Sequence, residues 1–268
     1  MKLLFSEHKS DYPNYIFPYA VWAFPDAGET ATDIFGKGFL PASRELTRYY
    51  MCRHLRVALQ NFKPSSENRR IFKKGKGITL SLLPRSEFDY SETRRHAFKS
   101  YADIKFGKDV MTYERLDSLF HSRIISHLLV FTDADTGNEV GVATLLLEPK
   151  QLAYYYYAFY DLIYYERNLG MFMMTSAVAH FADLGFDYLY LGTCYSRNAL
   201  YKTQFSGAEF FNGVCWSHEL KELKYMINRD SHAVSQHLFE TEDYLAKFHA
   251  SDLSVLIAAS PFHITSAA

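Results

Sequence analysis

The sequence predicts an α+β fold: a mixed, mainly antiparallel sheet flanked by helices. Three observations carry the prediction. Two apolar runs, His127–Thr132 and Glu139–Leu147, flank the turn-rich stretch Asp133–Asn138 and read as a hairpin. A tyrosine-rich run, Leu152–Tyr160, extends the sheet. A single helical segment, 169–184, then separates that run from a second buried strand, Phe186–Leu191. From about residue 126 the order is β-β-β-α-β-α-β, with antiparallel strands first and one crossover helix, which is not a Rossmann repeat.

The remaining elements follow in chain order. Residues 14–24 are aromatic and apolar but broken by Pro18, and 25–43 carry two prolines and three glycines, so they read as loop. Leu55 to Phe62 reads as a strand. Ser65 or Ser66 can cap a short helix ending at Gly75, and Ile78–Leu83 is a further strand. Residues 87–105 read as a helix with a basic face at Arg94, Arg95 and Lys99, and Thr112 can cap another to about Ser122. Asn168 stands where an N-cap is needed for 169–184. Leu169, Phe172, Met173, Ala177 and Phe181 keep helical spacing along that segment, and Gly185 suits its end. A short helix over 197–206, a last strand over 209–216 and two helical stretches beyond 217 complete the reading. The expected units are an N-terminal lobe at 1–84, a core at 85–229 and a C-terminal helical extension at 230–268.

Composition narrows the function. The 268 residues carry a net charge of −1, so the whole molecule has no polyanion-binding balance, although a local patch can serve. The start, MKLLFSEHKSDYPN, has too short an apolar stretch for a secretion signal, so a cytoplasmic protein is expected. No run of about 18 apolar residues marks a membrane span. Cys52, Cys194 and Cys215 are scattered without a CxxC, so neither a disulfide framework nor a metal site is expected. With 21 Tyr and 22 Phe, the chain has aromatics enough for stacking platforms as well as for a β-rich core.

Four constellations carry chemistry. Arg167-Asn-Leu-Gly170 opens a helix, whose free N–H groups favour phosphate, and Gly170 admits a ligand close to the backbone. This layout resembles the pyrophosphate loop of the GNAT acyltransferases. Phe172 stands where that loop needs a small residue, which obstructs an acyl-CoA cradle. Arg69, Arg70, Lys73, Lys74 and Lys76 form a basic segment suited to RNA phosphates, extendable by Arg53, Arg56, Arg94 and Arg95; the alternative is a solvated helix face. Tyr195, Ser196, Tyr201 and Lys202 follow a buried strand, where sites are commonly built, and Glu209 lies just beyond. Asp161 ends the tyrosine-rich strand and can bind or deprotonate an amine, or simply cap a turn. No nucleophile elbow, Walker loop or HExxH is present.

At these residues the sequence resembles the arginyl-tRNA–protein transferases and their bacterial relatives, the leucyl-tRNA–protein transferases. The similar stretches are CRHLRVALQNFKPSSENRRIFKK (52–74), YAFYD (157–161), Asn168-Leu169-Gly170, YLYLGTCYSRNALYK (188–202), and Phe205, Glu209, Gly213 and Trp216. They occur in family order and cover roughly residues 14–220. The resemblance implies a GNAT-like fold and the transfer of an amino acid from aminoacyl-tRNA to a protein N-terminus, which marks the protein for degradation in the N-degron pathway. It implies catalytic roles for Asp161, Tyr160, Tyr201 and Lys202. Tyr156, Tyr157, Tyr195, Ser196 and Glu209 would bind substrate. Arg69, Arg70, Lys73, Lys74, Arg167 and Gly170 would hold tRNA. The partners are then aminoacyl-tRNA and protein or peptide N-termini, with no membrane and no cofactor beyond the tRNA co-substrate. The chain departs from the family in three places. Only Cys52 remains of its N-terminal cysteines, so no iron–sulfur or metal cluster is expected. Asp161 is followed by Leu162-Ile163 instead of Pro-Asp, and Ser206-Gly207 replaces a proline turn. Two other readings are an acyl-CoA-dependent GNAT N-acyltransferase and a non-catalytic module that binds protein N-termini or RNA.

Overall fold

The computed structural model describes residues 1–262. Its elements in chain order are β1 (Lys2–Glu7), β2 (Tyr19–Phe24), α1 (Ala31–Gly36), β3 (Phe39–Pro41), β4 (Tyr49–Met51), β5 (His54–Ala58), α2 (Ser66–Lys74), β6 (Ile78–Pro84), α3 (Glu92–Lys105), α4 (Tyr113–Phe120), β7 (His127–Asp133), β8 (Glu139–Glu148), β9 (Leu152–Tyr160), α5 (Leu169–Asp183), β10 (Tyr188–Thr193), β11 (Ala208–Phe211), β12 (Trp216–Ser217), α6 (Leu220–Asp230), α7 (Glu242–Phe248) and α8 (Ser254–Ala259). An eight-stranded sheet runs in the order β12-β11-β5-β10-β9-β8-β7-β6, and a four-stranded sheet in the order β1-β2-β4-β3. The architecture is the expected mixed, mainly antiparallel α+β one. No described helix is long and apolar enough to cross a membrane.

Two buried clusters sandwich the large sheet. On one face α2, α5 and α6 pack Ile71, Met173, Val178, Phe181 and Leu223 onto Leu129, Leu145 and Leu189. On the other, α1, α3, α4 and the small sheet pack Phe35, Phe98, Leu116 and Phe120 onto Leu128, Val142 and Phe159. Both sides of β8 are therefore covered, which is why Val140 to Leu146 is a continuous buried run.

The expected division at residue 84 crosses this sheet. β5 lies between β10 and β11, and β6 pairs with β7 over seven residues. The small sheet takes all four of its strands from residues 2–51. A strand inserted from a distant segment leaves no local signature, so the boundary could not be read from neighbouring residues. The loop expected over 25–43 also holds α1. Thr30 and Asp33 cap it reciprocally, and Glu148 from the end of β8 accepts from Ala31 N at 2.7 Å and Thr32 N at 2.9 Å. The strand expected to reach Phe62 stops at Ala58, and the helix expected from 87 starts at Glu92. Residues 209–216 split into β11 and β12 around a turn in which Asn212 Oδ1 accepts from Val214 N and Cys215 N. Of the extension, α7 and α8 are present, and residues 263–268 lie outside the described part.

Candidate active site

The site grows from a break in the sheet. β9 and β10 run parallel for only three residues, pairing Tyr188 with Leu152, Leu189 with Ala153 and Tyr190 with Tyr154. Each strand then changes course against its other neighbour. On β10 the register shifts between Tyr190 and Gly192, where Gly192 takes φ +80°, a conformation glycine reaches without strain. On β9, Ala158 pairs with Ala143 but Tyr155 pairs with Leu145, so β9 carries one residue more than β8 there. The buried Thr144 fills this bulge: its hydroxyl accepts from Tyr157 N at 3.0 Å. The extra residue resets the alternation of the strand. Tyr154, Tyr156, Tyr157 and Phe159 face the α3 side, while Tyr155, Ala158 and Tyr160 face α5.

A cleft of about 460 Å³ opens where the two strands part. Tyr155, Ala158 and Leu191 form its floor, and Met171 and Met174 of α5 form one wall. Tyr101, Tyr160 and Tyr165 stand at one side, with Tyr201 and Lys202 at the other. The start of α5 closes the end. Gly170 is required there because a Cβ would lie 2.8 Å from the Tyr160 hydroxyl oxygen. Asn168 does occupy the cap position, but at φ +54° its side chain makes no capping bond.

Burial sets the electrostatics of the cleft. The Lys202 Nζ donates to Thr193 O at 3.0 Å, and burial lowers its pKa from the ordinary lysine value. Tyr201 is raised by burial, and Tyr156 is pushed up to about 12. Tyr155 is the unusual member. It is 5% exposed, burial raises its pKa, and its hydroxyl has no hydrogen-bond partner among the described residues. A buried hydroxyl left unsatisfied costs about 1–3 kcal/mol, a cost that a ligand accepting from it would offset. The cleft thus sets an amine beside a buried, unpaired hydroxyl within an apolar, aromatic wall.

No family model matches the chain. An aspartate/glutamate leucyltransferase of Methylobacterium sp. (strain 4-46) is 27% identical over 180 residues, covering 62% of this chain and 71% of that protein. One from Acinetobacter baumannii is 25% identical over 171 residues, covering 62% of this chain and 61% of that protein. This chain is similar to the bacterial aspartate/glutamate leucyltransferases. Among solved structures, a GCN5-related N-acetyltransferase from Sphaerobacter thermophilus superposes with a TM-score of 0.34 at 14% identity, over 65% of this chain and 50% of that one.

Of the residues expected to serve a leucyltransferase-like site, the cleft gathers Tyr156, Tyr157, Tyr160, Gly170, Tyr201 and Lys202. Asp161 is not among its lining residues. Its carboxylate accepts from Ile163 N at 2.9 Å and caps the 3-10 turn Leu162–Arg167, on the α3 side of Tyr160. Glu209 is bound to Arg56 at 2.8 Å, and that guanidinium is sandwiched between the Tyr188 and Trp216 rings. Tyr195 accepts from Arg53 N at 2.8 Å and carries the Arg53 guanidinium over its ring, while Ser196 precedes a 3-10 turn without capping it by side chain. Glu209 and Tyr195 hold the structure around β5, and all three residues lie outside the cleft.

The residues expected to hold tRNA divide likewise. Arg167 donates to Lys74 O at 3.2 Å and Lys76 O at 2.6 Å, so it caps the end of α2 and ties it to the mouth of the cleft. Arg70 pairs with Glu67, and Arg69 donates to Pro64 O. Lys73 is exposed, and Lys74 Nζ reaches Glu166 O at 3.2 Å, beside the mouth residues Tyr165 and Asn168. Reading the residues in order missed Tyr155, Tyr101, Met174 and Lys105, whose Nζ sits 4.9 Å from the Tyr165 ring centre. Tyr155 lay inside the tyrosine run, and alternation alone could not tell which face of a strand buried on both sides opens onto the cleft. Cys52 is buried, its sulfur 3.6 Å from His54 Nδ1, and burial pushes its thiol up to about 12.

Proposed function

We propose that the protein is an aminoacyl-tRNA–protein transferase that moves a leucyl group from charged tRNA to the α-amino group of a protein beginning with Asp or Glu. The observation that carries this is the cleft between the parted ends of β9 and β10, apolar along its walls and fitted with Lys202 and the unpaired Tyr155 hydroxyl. The relatives' name supplies leucine and the acidic acceptors. A leucyl side chain suits Leu191, Met171 and Met174. An arginyl side chain would meet the Lys202 amine and no carboxylate among the described lining residues. Phe172 weighs against acyl-CoA, because its ring is buried against Gly75 and fills the first turn of α5.

In this reading the neutral acceptor amine attacks the leucyl ester carbonyl. A C–N bond forms, the C–O bond to the terminal ribose breaks, and the released ribose oxygen takes a proton. The ester is already activated, so positioning and oxyanion support suffice without a covalent enzyme intermediate or a further cofactor. Tyr155 donates to the carbonyl oxygen as it gains charge. Lys202, whose pKa burial lowers, accepts the proton shed by the attacking amine. Lys73, Lys74 and Lys105 at the mouth attract the tRNA phosphates. Charged tRNA is a cytoplasmic substrate, and the leucylated product would enter an N-degron pathway. Radiolabelled leucyl-tRNA and arginyl-tRNA, each incubated with a peptide beginning Asp, test the reading. Label should move from leucyl-tRNA and depend on Lys202 and Tyr155. Transfer from acetyl-CoA alone, or equal transfer from arginyl-tRNA, would overturn it.

A further inference from the structure

A second, smaller pocket of about 220 Å³ lies behind the β9 bulge, and its chemistry differs from that of the cleft. It is built from the loop after β3, from α4 and from Tyr156 and Tyr157, the two bulge residues that also line the cleft. One pair of side chains therefore separates the two spaces. Arg44 comes from the loop and Arg115 from α4, and no carboxylate lines the pocket. Neither arginine has an acidic partner within ion-pair distance among the described residues; Arg115 uses one nitrogen on Val110 O at 3.0 Å. The two arginines of the neighbouring α3, by contrast, are neutralised: Arg94 by Glu139 and Arg95 by Asp117. The positive charge of both pocket arginines reaches the Tyr156 phenol, where it opposes the effect of burial. Arg44 is half-buried, and its backbone carbonyl is fixed by Ile124 N at 3.1 Å.

We propose that Arg44 and Arg115 form the specificity site for the acceptor, binding the side-chain carboxylate of an N-terminal Asp or Glu. The inference rests on the transferase reading above and adds to it the residues that choose the acceptor. Two guanidinium groups from different elements, Arg44 half-buried and Arg115 exposed, line one pocket and suit a forked pair of charge-assisted bonds to a carboxylate. The position is right for the chemistry. The pocket shares Tyr156 and Tyr157 with the cleft, so a carboxylate held there lies next to the space proposed for the leucyl ester. A tRNA phosphate is the other anion such a pair can take. The small volume, about 220 Å³, favours a single side chain over a polymer backbone, and the open basic face near the cleft mouth already serves the polymer.

The test measures binding directly, by calorimetry with the intact protein and peptides that differ only in an N-terminal Asp, Glu or Asn, alongside binding of leucyl-tRNA. The wild-type protein should prefer the Asp and Glu peptides over the Asn peptide by about tenfold or more, as expected for a charge-assisted pair. Arg44→Gln and Arg115→Gln should each weaken the acidic peptides about tenfold. The double variant should bind all three peptides alike, with leucyl-tRNA affinity and thermal midpoint unchanged. An Asp peptide that binds no better than the Asn peptide would overturn the inference even if leucine is transferred. So would variants that lose tRNA binding instead of peptide discrimination, since that makes the pocket a phosphate site. Acidic preference that depends on both arginines in a protein that transfers no leucine would uphold the pocket and sink the transferase reading alone.

Discussion

The Phe172 ring lies directly over Gly75: a Cβ on that glycine would stand 2.0 Å from the ring. This contact locks the end of α2 to the first turn of α5, where a nucleotide-cofactor loop would need open space. Gly75→Ala should therefore destabilise the fold by about 2 kcal/mol through overpacking. Phe172→Ala should cost about 3–5 kcal/mol through the cavity it leaves. Urea unfolding measures both, and calorimetry with CoA on Phe172→Ala checks that removing the ring does not expose a CoA site. Micromolar CoA binding by that variant would mean the ring is a plug in a working cradle.

Tyr155→Phe separates function from stability. The substitution removes a buried hydroxyl that has no partner, so the folded chain should become more stable by about 1 kcal/mol. If the hydroxyl supports the developing oxyanion, kcat for leucyl transfer should fall about 10²-fold at the same time. Thermal melts and single-turnover transfer give the two numbers. Unchanged turnover would make the hydroxyl a spectator.

Lys202 gives the reaction a pH signature. Burial lowers its pKa, so in the folded chain the amine becomes neutral at a lower pH than it does unfolded. Between the lowered value and the ordinary lysine value the unfolded chain binds more protons, so stability rises with pH across that window. The neutral amine is also the form that accepts a proton, so kcat should climb towards alkaline pH. Lys202→Gln should remove that climb and lower kcat by about 10²–10⁴-fold, leaving only the titration of the acceptor amine.

Two acids should prove structural. Glu209→Gln weakens the link to Arg56, which bridges β5 to β11 between two aromatic rings, and should cost about 2 kcal/mol of stability. Asp161→Ala removes a turn cap, a small loss. In both variants, KM for leucyl-tRNA and for peptide should match the wild type once folded protein is counted by active-site titration. A tenfold loss of kcat in Asp161→Ala would return that carboxylate to the chemistry.

The periodic segments were legible because burial writes itself into local spacing. The 127–147 hairpin, β9, α5 and β10 emerged from apolar runs and turn residues alone, and their order placed Tyr160, Gly170, Tyr201 and Lys202 near one another. What escaped was non-local. β5 is inserted between β10 and β11 by pairings that no neighbouring residue announces. The bulge at Tyr156–Tyr157 depends on a hydroxyl from β8, and it sets which way the residues after it, Ala158 to Tyr160, face, while Tyr155 keeps the alternation begun at Ala153. Asp161 was correctly seen at the end of a strand, but the side on which it emerges is set by the same bulge. Arg44 and Arg115 are distant in sequence and carry no motif, so only folding brings them into one pocket.

The central claim is that the cleft between β9 and β10 holds the leucyl end of charged tRNA. Ala158→Phe fills the floor of that cleft from the strand itself, leaving Lys73, Lys74 and the Arg44–Arg115 pocket untouched. Leucyl transfer from radiolabelled leucyl-tRNA to an Asp-initiated peptide should fall at least about 10²-fold in the variant, on the scale of a lost near-attack geometry. Binding of uncharged tRNA and of the peptide should persist. Transfer at the wild-type rate with the cleft filled would contradict the account.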